Sequence, residues 1–374
     1  MMTVLITLIA LPSAGVYQSD WMPGIIHCHT TFSDGSGNIP QRALRARQEG
    51  CLFMIVTDHN DEIPNKNKPS AQWYGRPFNP RGVDVGFADY VRECREQTCS
   101  GFVCIPGLEI AAKWQAEDDT LDESHTLALG AYGTRSDRIL DRIQFGTDQQ
   151  VNVIRRINQL GMLSVAAHPK LISTLSATFP PWEWQRNRYD LRSPDRYAGI
   201  QGIEFFNDKT DEQETDTLEW YLSMVRARRP VFVTAGNDSH GWGDLDDDER
   251  WQKKTWIKTT RVNANSILDA ISHGYTCATA KEIRIVNVGV MRPYTRIMYE
   301  PPKVATNIEC DQGFPSDLVI YRDGIEMYRM PVAGQTSIPA VLADGDATVG
   351  VHWYVLYMKG ALVSSPIIVD YRKR

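Results

Sequence analysis

The chain has 374 residues, of which 42% are apolar and 23% charged, with a formal net charge of -6. That length suffices for one large domain and a small one, and the composition is that of a globular protein. The acidic balance argues against a broad nucleic-acid surface, which needs clustered Lys and Arg, and no apolar run approaches the roughly 20 residues that span a bilayer.

The chain opens on an apolar stretch, 3–11, followed by Pro12, Ser13, Ala14 and Gly15. Residues 1–22 admit two readings. The small residues suit a signal-peptide cleavage site, whereas the lack of any Lys or Arg before Arg42 suits a strand of the mature fold. The compartment, cytoplasmic or exported, depends on that choice.

From 23 to 282 short β-type runs alternate with helical patterns, which predicts an α/β architecture with a mostly parallel sheet. Runs 24–29, 51–57, 102–109, 126–132, 163–168, 202–206, 231–235 and 255–258 read as strands. Runs 41–48, 149–160, 211–228 and 264–273 read as helices; Pro40 near the start and Gly50 after the end of the first fit the usual punctuation. The polar stretches 60–84 and 174–194 read as long loops. From 283 to 374 the pattern changes to β-type runs at 283–290, 317–321, 348–356 and 361–369, separated by turns such as Asp323-Gly324 and Asp344-Gly345. That predicts a small all-β, sandwich-like C-terminal domain.

The seven cysteines are scattered, without paired metal-ligand spacing, and read as small buried residues. A Cys94–Cys99 or Cys99–Cys104 bridge is the alternative.

The histidines are more informative. Of the eight, His27, His29, His59, His125, His168 and His240 fall at or beside predicted strand ends, several with carboxylates nearby. His27 and His29 lie two apart in a strand, a spacing that turns both imidazoles to one face. Asp34 follows in a Ser/Gly-rich turn, Glu109 ends the third strand, and Asp238 precedes His240 by two residues. Strand ends converge on one face of an α/β barrel. Imidazole with carboxylate suits Zn, Mn or Fe as divalent ions, and several carboxylates favour a cluster over a single closed structural zinc. His273, after a helix, and His352, in the β-rich part, stand apart from this pattern.

The string His27-Cys28-His29-Thr30-Thr31-Phe32-Ser33-Asp34-Gly35 resembles the first motif of the PHP (polymerase and histidinol phosphatase) superfamily. Thr57-Asp58-His59-Asn60 resembles the second, and His168 and Asp238-Ser239-His240 resemble the later ones; the match runs from about 24 to 280. The resemblance implies a distorted seven-stranded β/α barrel with two or three divalent ions. It implies that His27, His29, Glu109 and Asp238 hold one ion, that Glu109 bridges to a second with His125 and His168, and that Asp34, His59 and His240 hold a third. The expected reaction is hydrolysis of a phosphomonoester or phosphodiester, of a small molecule or short nucleotide, by a metal-bound hydroxide. A carboxylic-ester or carbamate hydrolase is the alternative chemistry for such a cluster, and a non-catalytic, metal-stabilised binding protein is the alternative class. No Gly-x-Ser-x-Gly elbow is present. Asp58 adjoins the cluster and is better suited to orienting a ligand histidine than to proton transfer. Lys113, Lys170 and Asn207 are candidate substrate contacts, and Glu204 with Asn207 could support the ligands from behind. For the C-terminal part, substrate presentation, partner or carbohydrate binding and structural support all remain open roles, and protein partners are unspecified.

Overall fold

A computed structural model describes residues 20–59, 72–73, 76–77, 87–115, 121–132, 150–169, 198–207, 211–240, 251–288, 296–298 and 302–372. The first strand, β1 (Trp21–Cys28), leads to α1 (Ile39–Gln48) and β2 (Phe53–Val56). Asn38 caps α1 by accepting from the Gln41 amide at 2.9 Å while the Gln41 side chain accepts from the Asn38 amide at 2.9 Å, a capping box that fixes where the helix starts. A two-residue ladder, β3 (Gln72–Trp73) with β4 (Arg76–Pro77), precedes α2 (Phe87–Glu96). Helix α2 lies beyond the elements expected from the sequence, and Phe87, Tyr90, Val91 and Cys94 form its buried stripe.

Next come β5 (Val103–Gln115), β6 (Leu121–Leu129), α3 (Gln150–Gln159), β7 (Leu163–Ala166), β8 (Gly202–Phe206), α4 (Asp211–Arg226) and β9 (Phe232–Ser239). Strands β1, β2, β5, β6, β7, β8 and β9 pair in that order, and β9 returns to β1, closing a seven-stranded barrel. Every pairing is parallel except those of β6, which runs antiparallel to β5 and β7. This single reversed strand is the distortion. It arises because β5 and β6 form a long hairpin rather than a crossover.

Then β10 (Lys254–Lys258), α5 (Ala264–Ser272) and β11 (Thr276–Thr279) carry the sheet away from the barrel, with β10 antiparallel to the first half of β1. Beyond them lie β12 (Ile283–Val288), β13 (Arg296–Met298), β14 (Lys303–Cys310), β15 (Leu318–Arg322), β16 (Ile325–Met330), β17 (Ser337–Ala343), β18 (Gly350–Met358), β19 (Leu362–Ser364) and β20 (Ile367–Tyr371). The run expected at 361–369 divides into β19 and β20 at Pro366, which has no amide hydrogen to continue a ladder. The three-stranded sheet β12-β14-β17 faces the sheet containing β15, β18 and β20, and Ile285, Val304, Ile308, Leu318, Ile320 and Leu356 fill the space between. This is the sandwich.

Strand β18 serves two cores by alternation. Tyr354, Leu356 and Met358 join the sandwich interior, while Trp353, Val355 and Tyr357 pack with Trp220, Tyr221 and Val225 of α4. Hydrogen bonding also runs across the 282/283 division, because β11 pairs with β19 and the Ser365 hydroxyl accepts from the Val233 amide at 3.0 Å.

All seven cysteines are free thiols, six buried and Cys99 exposed. No helix among the described residues is long and apolar enough to cross a membrane.

Candidate metal centre

The site lies at the ends of β1, β2, β7 and β9 and along the middle of the β5–β6 hairpin. Glu109, expected to end its strand, stands inside β5, which runs on to Gln115, and His125 stands inside β6. At the end of β1 the geometry departs from simple strand alternation. Ile25 and Cys28 both pack on the helix side, with α1 and α2, while Ile26 faces the barrel interior. The register with β9 shifts between Ile26 and Cys28, and His27 adopts a left-handed φ of 66°. An unbroken strand would send His27 outward with Ile25; the bulge reverses the phase and turns both His27 and His29 inward. His168 and Asp238 also have left-handed φ values, 28° and 43°. Such backbone costs on the order of 1–3 kcal/mol per residue and persists only where surroundings enforce it.

The turn after β1 is tied down by Asp58. Its buried carboxylate accepts from the Thr30 amide (2.7 Å) and hydroxyl (2.8 Å) and from the Ser33 amide (3.1 Å) and hydroxyl (2.6 Å). Burial raises the Asp58 pKa against the pull of His29 and of these donors. Asp58 thus shapes the turn that carries Asp34 and reaches His29 only through Ser33, whose hydroxyl lies 3.5 Å from His29 Nδ1. Gly35 is required here, since a Cβ would sit 2.4 Å from the His29 carbonyl carbon.

Glu109 is the centre of the arrangement. Its Oε2 lies 3.3 Å from His27 Nε2, 3.1 Å from His29 Nε2 and 3.4 Å from His59 Nδ1. Its Oε1 lies 2.7 Å from His125 Nδ1 and 3.0 Å from His168 Nε2. Asp238 Oδ1 faces the same pair of nitrogens as Oε2, at 3.2 Å from His27 and 3.3 Å from His29. On the solvent side, Asp34 Oδ2 stands 3.2 Å from His240 Nε2 and 3.7 Å from His59 Nε2, and Asp34 Oδ1 is 3.4 Å from His29 Nδ1. His240 donates Nδ1–H to the Asp238 carbonyl at 3.0 Å, which leaves Nε2 its lone pair.

These nine side chains fall into three groups able to hold a cation: His27, His29, Glu109 and Asp238; Glu109, His125 and His168; and His29, Asp34, His59 and His240. The first two correspond to the groupings implied by the resemblance, and His29 joins the third as well. The donors fit divalent ions on two counts. His27 Nε2 and His29 Nε2 are buried and make no hydrogen bond, though carboxylate oxygens stand close by. Moreover, ligands about 2.1 Å from one ion stand roughly 3.0–3.4 Å apart, the spacing seen around these nitrogens.

Protonation of the metal-free site follows from its crowding. Burial opposes charge on His29, yet the carboxylates of Asp238, Glu109 and Asp34 close beside it lift it to about 10. His27 is likewise raised, burial being outweighed by Glu204, Asp238 and Glu109. Burial pushes His59 down to about 3, with Glu109 only partly opposing. Glu109 and Asp238 sit well below the usual carboxylate range, because their histidine neighbours outweigh burial.

Behind the ligands stands Glu204 on β8. Its Oε1 accepts from His27 Nδ1 at 2.7 Å, and its Oε2 accepts from the His168 amide at 2.6 Å and from Asn207 Nδ2 at 2.7 Å. Asn207, expected either at the substrate or behind the ligands with Glu204, directs its amide to Glu204. Of Lys113 only the backbone in β5 is described, and Lys170 lies outside the described residues. His273 caps α5 and His352 bonds Asp323, both away from the site.

No protein-family profile and no curated protein matches the chain. Among solved structures, it aligns with a two-domain protein containing a predicted PHP-like metal-dependent phosphoesterase from Bacteroides vulgatus, at 13% identity, covering 93% of this chain and 95% of that one, with a TM-score of 0.50. A putative metal-dependent phosphoesterase from Bifidobacterium adolescentis aligns at 19% identity over 59% of this chain and 88% of that one, with a TM-score of 0.35. A lesion-specific endonuclease from Pyrococcus furiosus aligns at 13% identity over 67% and 56%, with a TM-score of 0.42. The fold, a distorted seven-stranded barrel joined to a β-sandwich, is similar over nearly its whole length to that of the two-domain Bacteroides protein and is consistent with a PHP-type barrel.

Proposed function

We propose that the chain is a metal-dependent hydrolase of ester bonds, acting on a phosphomonoester or phosphodiester of a small molecule or short nucleotide. The observation that carries this reading is the division of the Glu109 carboxylate, with one oxygen among His27, His29 and His59 and the other between His125 and His168. Such a carboxylate can join two adjacent cation positions. Divalent ions held there would acidify water and neutralise charge developing on substrate oxygens. The chain's own residues supply the rest. His27 and His29 are fully enclosed, whereas the side chains of His240, Asp34, His59 and His125 are partly open to solvent, so substrate enters from the Asp34–His240 side. Thr30, Ser33 and Asp58 keep that rim in place.

The test is an assay of metal-loaded protein with nitrophenyl phosphate, bis-nitrophenyl phosphate and nitrophenyl acetate, alongside His27→Ala. Phosphoester turnover that His27→Ala abolishes is expected. Acetate turnover without phosphatase activity would move the assignment to carboxylic esters. Turnover unchanged in His27→Ala would end the catalytic reading.

A further inference from the structure

Two of the left-handed residues at the site, His27 and His168, share one partner. Glu204 holds His27 through its ring nitrogen and His168 through its backbone amide, one on each carboxylate oxygen. These histidines belong to different cation groups, His27 with Asp238 and His168 with His125. Space for the carboxylate comes from the neighbouring strand. At Gly236 of β9 a Cβ would lie 1.6 Å from Glu204 Oε1 and 2.8 Å from the Cβ of His27. Asn207 completes the arrangement by donating to Oε2, so the carboxylate plane is set by three donors from three chain segments.

We infer that Glu204, seated in the gap left by Gly236, is the positioning residue that aligns both buried cation positions at once. Resting on the metal-centre reading above, this assigns Glu204 two jobs. By accepting from Nδ1–H it fixes the His27 tautomer with Nε2 free to bind a cation. By accepting the His168 amide it holds that residue's strained backbone, and so the angle at which the ring meets Glu109. Loss of the carboxylate therefore weakens two positions together, which a residue serving a single ligand would not do. Glu204→Gln is the informative change: an amide offers one acceptor oxygen where three donors converge.

The experiment is cobalt(II) titration of the metal-free full-length protein, read by visible absorption and equilibrium dialysis, with circular dichroism as the check on folding. For E204Q the expected result is binding weaker by about 10–100-fold at both buried positions, with shifted cobalt bands. Gly236→Ala keeps the carboxylate but drives it off His27, and should give the same shift. Wild-type affinity and wild-type bands in E204Q overturn the assignment and leave the metal-centre reading intact. So does weakening of E204Q that comes only with unfolding while G236A binds like the wild type. A wild-type protein that takes up no cobalt overturns both.

Discussion

The two ends of the molecule treat their carboxylates in opposite ways. In the sandwich, Asp344 receives Arg322 Nη1 on both oxygens at 2.8 Å and the Tyr354 hydroxyl at 2.7 Å. Asp323 receives Arg228 at 2.6 Å, the Trp353 amide at 2.9 Å and His352 at 2.8 Å. Each charge finds permanent donors within the chain. At the barrel mouth, Glu109 and Asp238 face imidazole nitrogens that point at common centres, and two of those nitrogens make no hydrogen bond at all. The carboxylates of Asp344 and Asp323 are satisfied by donors of the chain itself, whereas the mouth is arranged for something added.

The harshest way to break this comparison is to separate the two ends. Deleting 283–374 removes Val319, Trp353, Val355, Tyr357 and Val363 from the core they share with α4 and β8. At about 1.5–3 kcal/mol per buried apolar side chain, the loss is on the order of 10 kcal/mol, comparable with the whole stability of a domain. The truncated chain should show no cooperative melt by circular dichroism. A barrel that still melts cooperatively and takes up metal would show that it does not depend on the sandwich to fold.

Next in size is Glu109→Gln, which should strip both buried positions. Metal content by elemental analysis should fall, and affinity should drop further than the 10–100-fold typical of supporting residues. A hundredfold loss corresponds to about 2.7 kcal/mol less stabilisation by added metal, readable as a smaller rise in melting temperature. An unchanged rise would refute the bridging role of Glu109.

Why these residues were legible beforehand, and others were not, has a physical reason. Ligands that follow short apolar runs leave a one-dimensional trace, as His27, His29, His59, Glu109, His168 and Asp238 do, and parallel strands bring the ends of such runs together. The stripe of α2 and the alternation of β14, with Val304, Thr306, Ile308 and Cys310 buried, were equally legible but went unread beside the polar stretches around them. The reversal of β6 and the bulge at His27 were not legible, since both depend on pairing between strands distant in sequence. The fit of Glu204 into the space at Gly236 has the same origin. It joins residues whose adjacency exists only once β8 and β9 are in register.

A smaller effect sharpens the contrast from the sandwich side. Asp344→Asn leaves Arg322 and Tyr354 without their charged acceptor and should cost about 1–3 kcal/mol, seen as a lower melting temperature. Metal uptake should be unaffected, since Asp344 belongs to none of the cation groups. Weaker uptake in a folded D344N protein would mean that the two ends are coupled.

The pH dependence of cation binding tests the mouth itself. His27 and His29 have raised pKa values, so the metal-free protein carries protons there that a cation must displace. For His29, with a pKa near 10, affinity should weaken about tenfold for each unit the pH falls below that value. The proton-stabilised metal-free fold has the opposite dependence: its contribution is present in full below the unfolded histidine value and is lost as pH rises toward about 10. His59, already neutral with a pKa near 3, adds nothing to this slope. Chelator competition between pH 6 and 9 would measure it. A flat profile would show that the two imidazoles are not titrating against the cation.

The smallest effect returns to Asp323. Burial pushes its pKa up, but His352, the Trp353 amide and Arg228 more than reverse this and hold it below the usual carboxylate value. A depressed carboxylate stabilises the fold above its unfolded pKa and loses that contribution as pH falls through the folded one, so the decline should begin near pH 4. Because the group is half open to solvent, the change is small and weakened by salt. Melting temperatures from pH 6 down to 3 should fall less steeply for Asp323→Asn than for the wild type, while at pH 6 the variant is the less stable of the two. Parallel acid profiles would place the acid sensitivity elsewhere, and the barrel-mouth carboxylates would then be the groups to titrate.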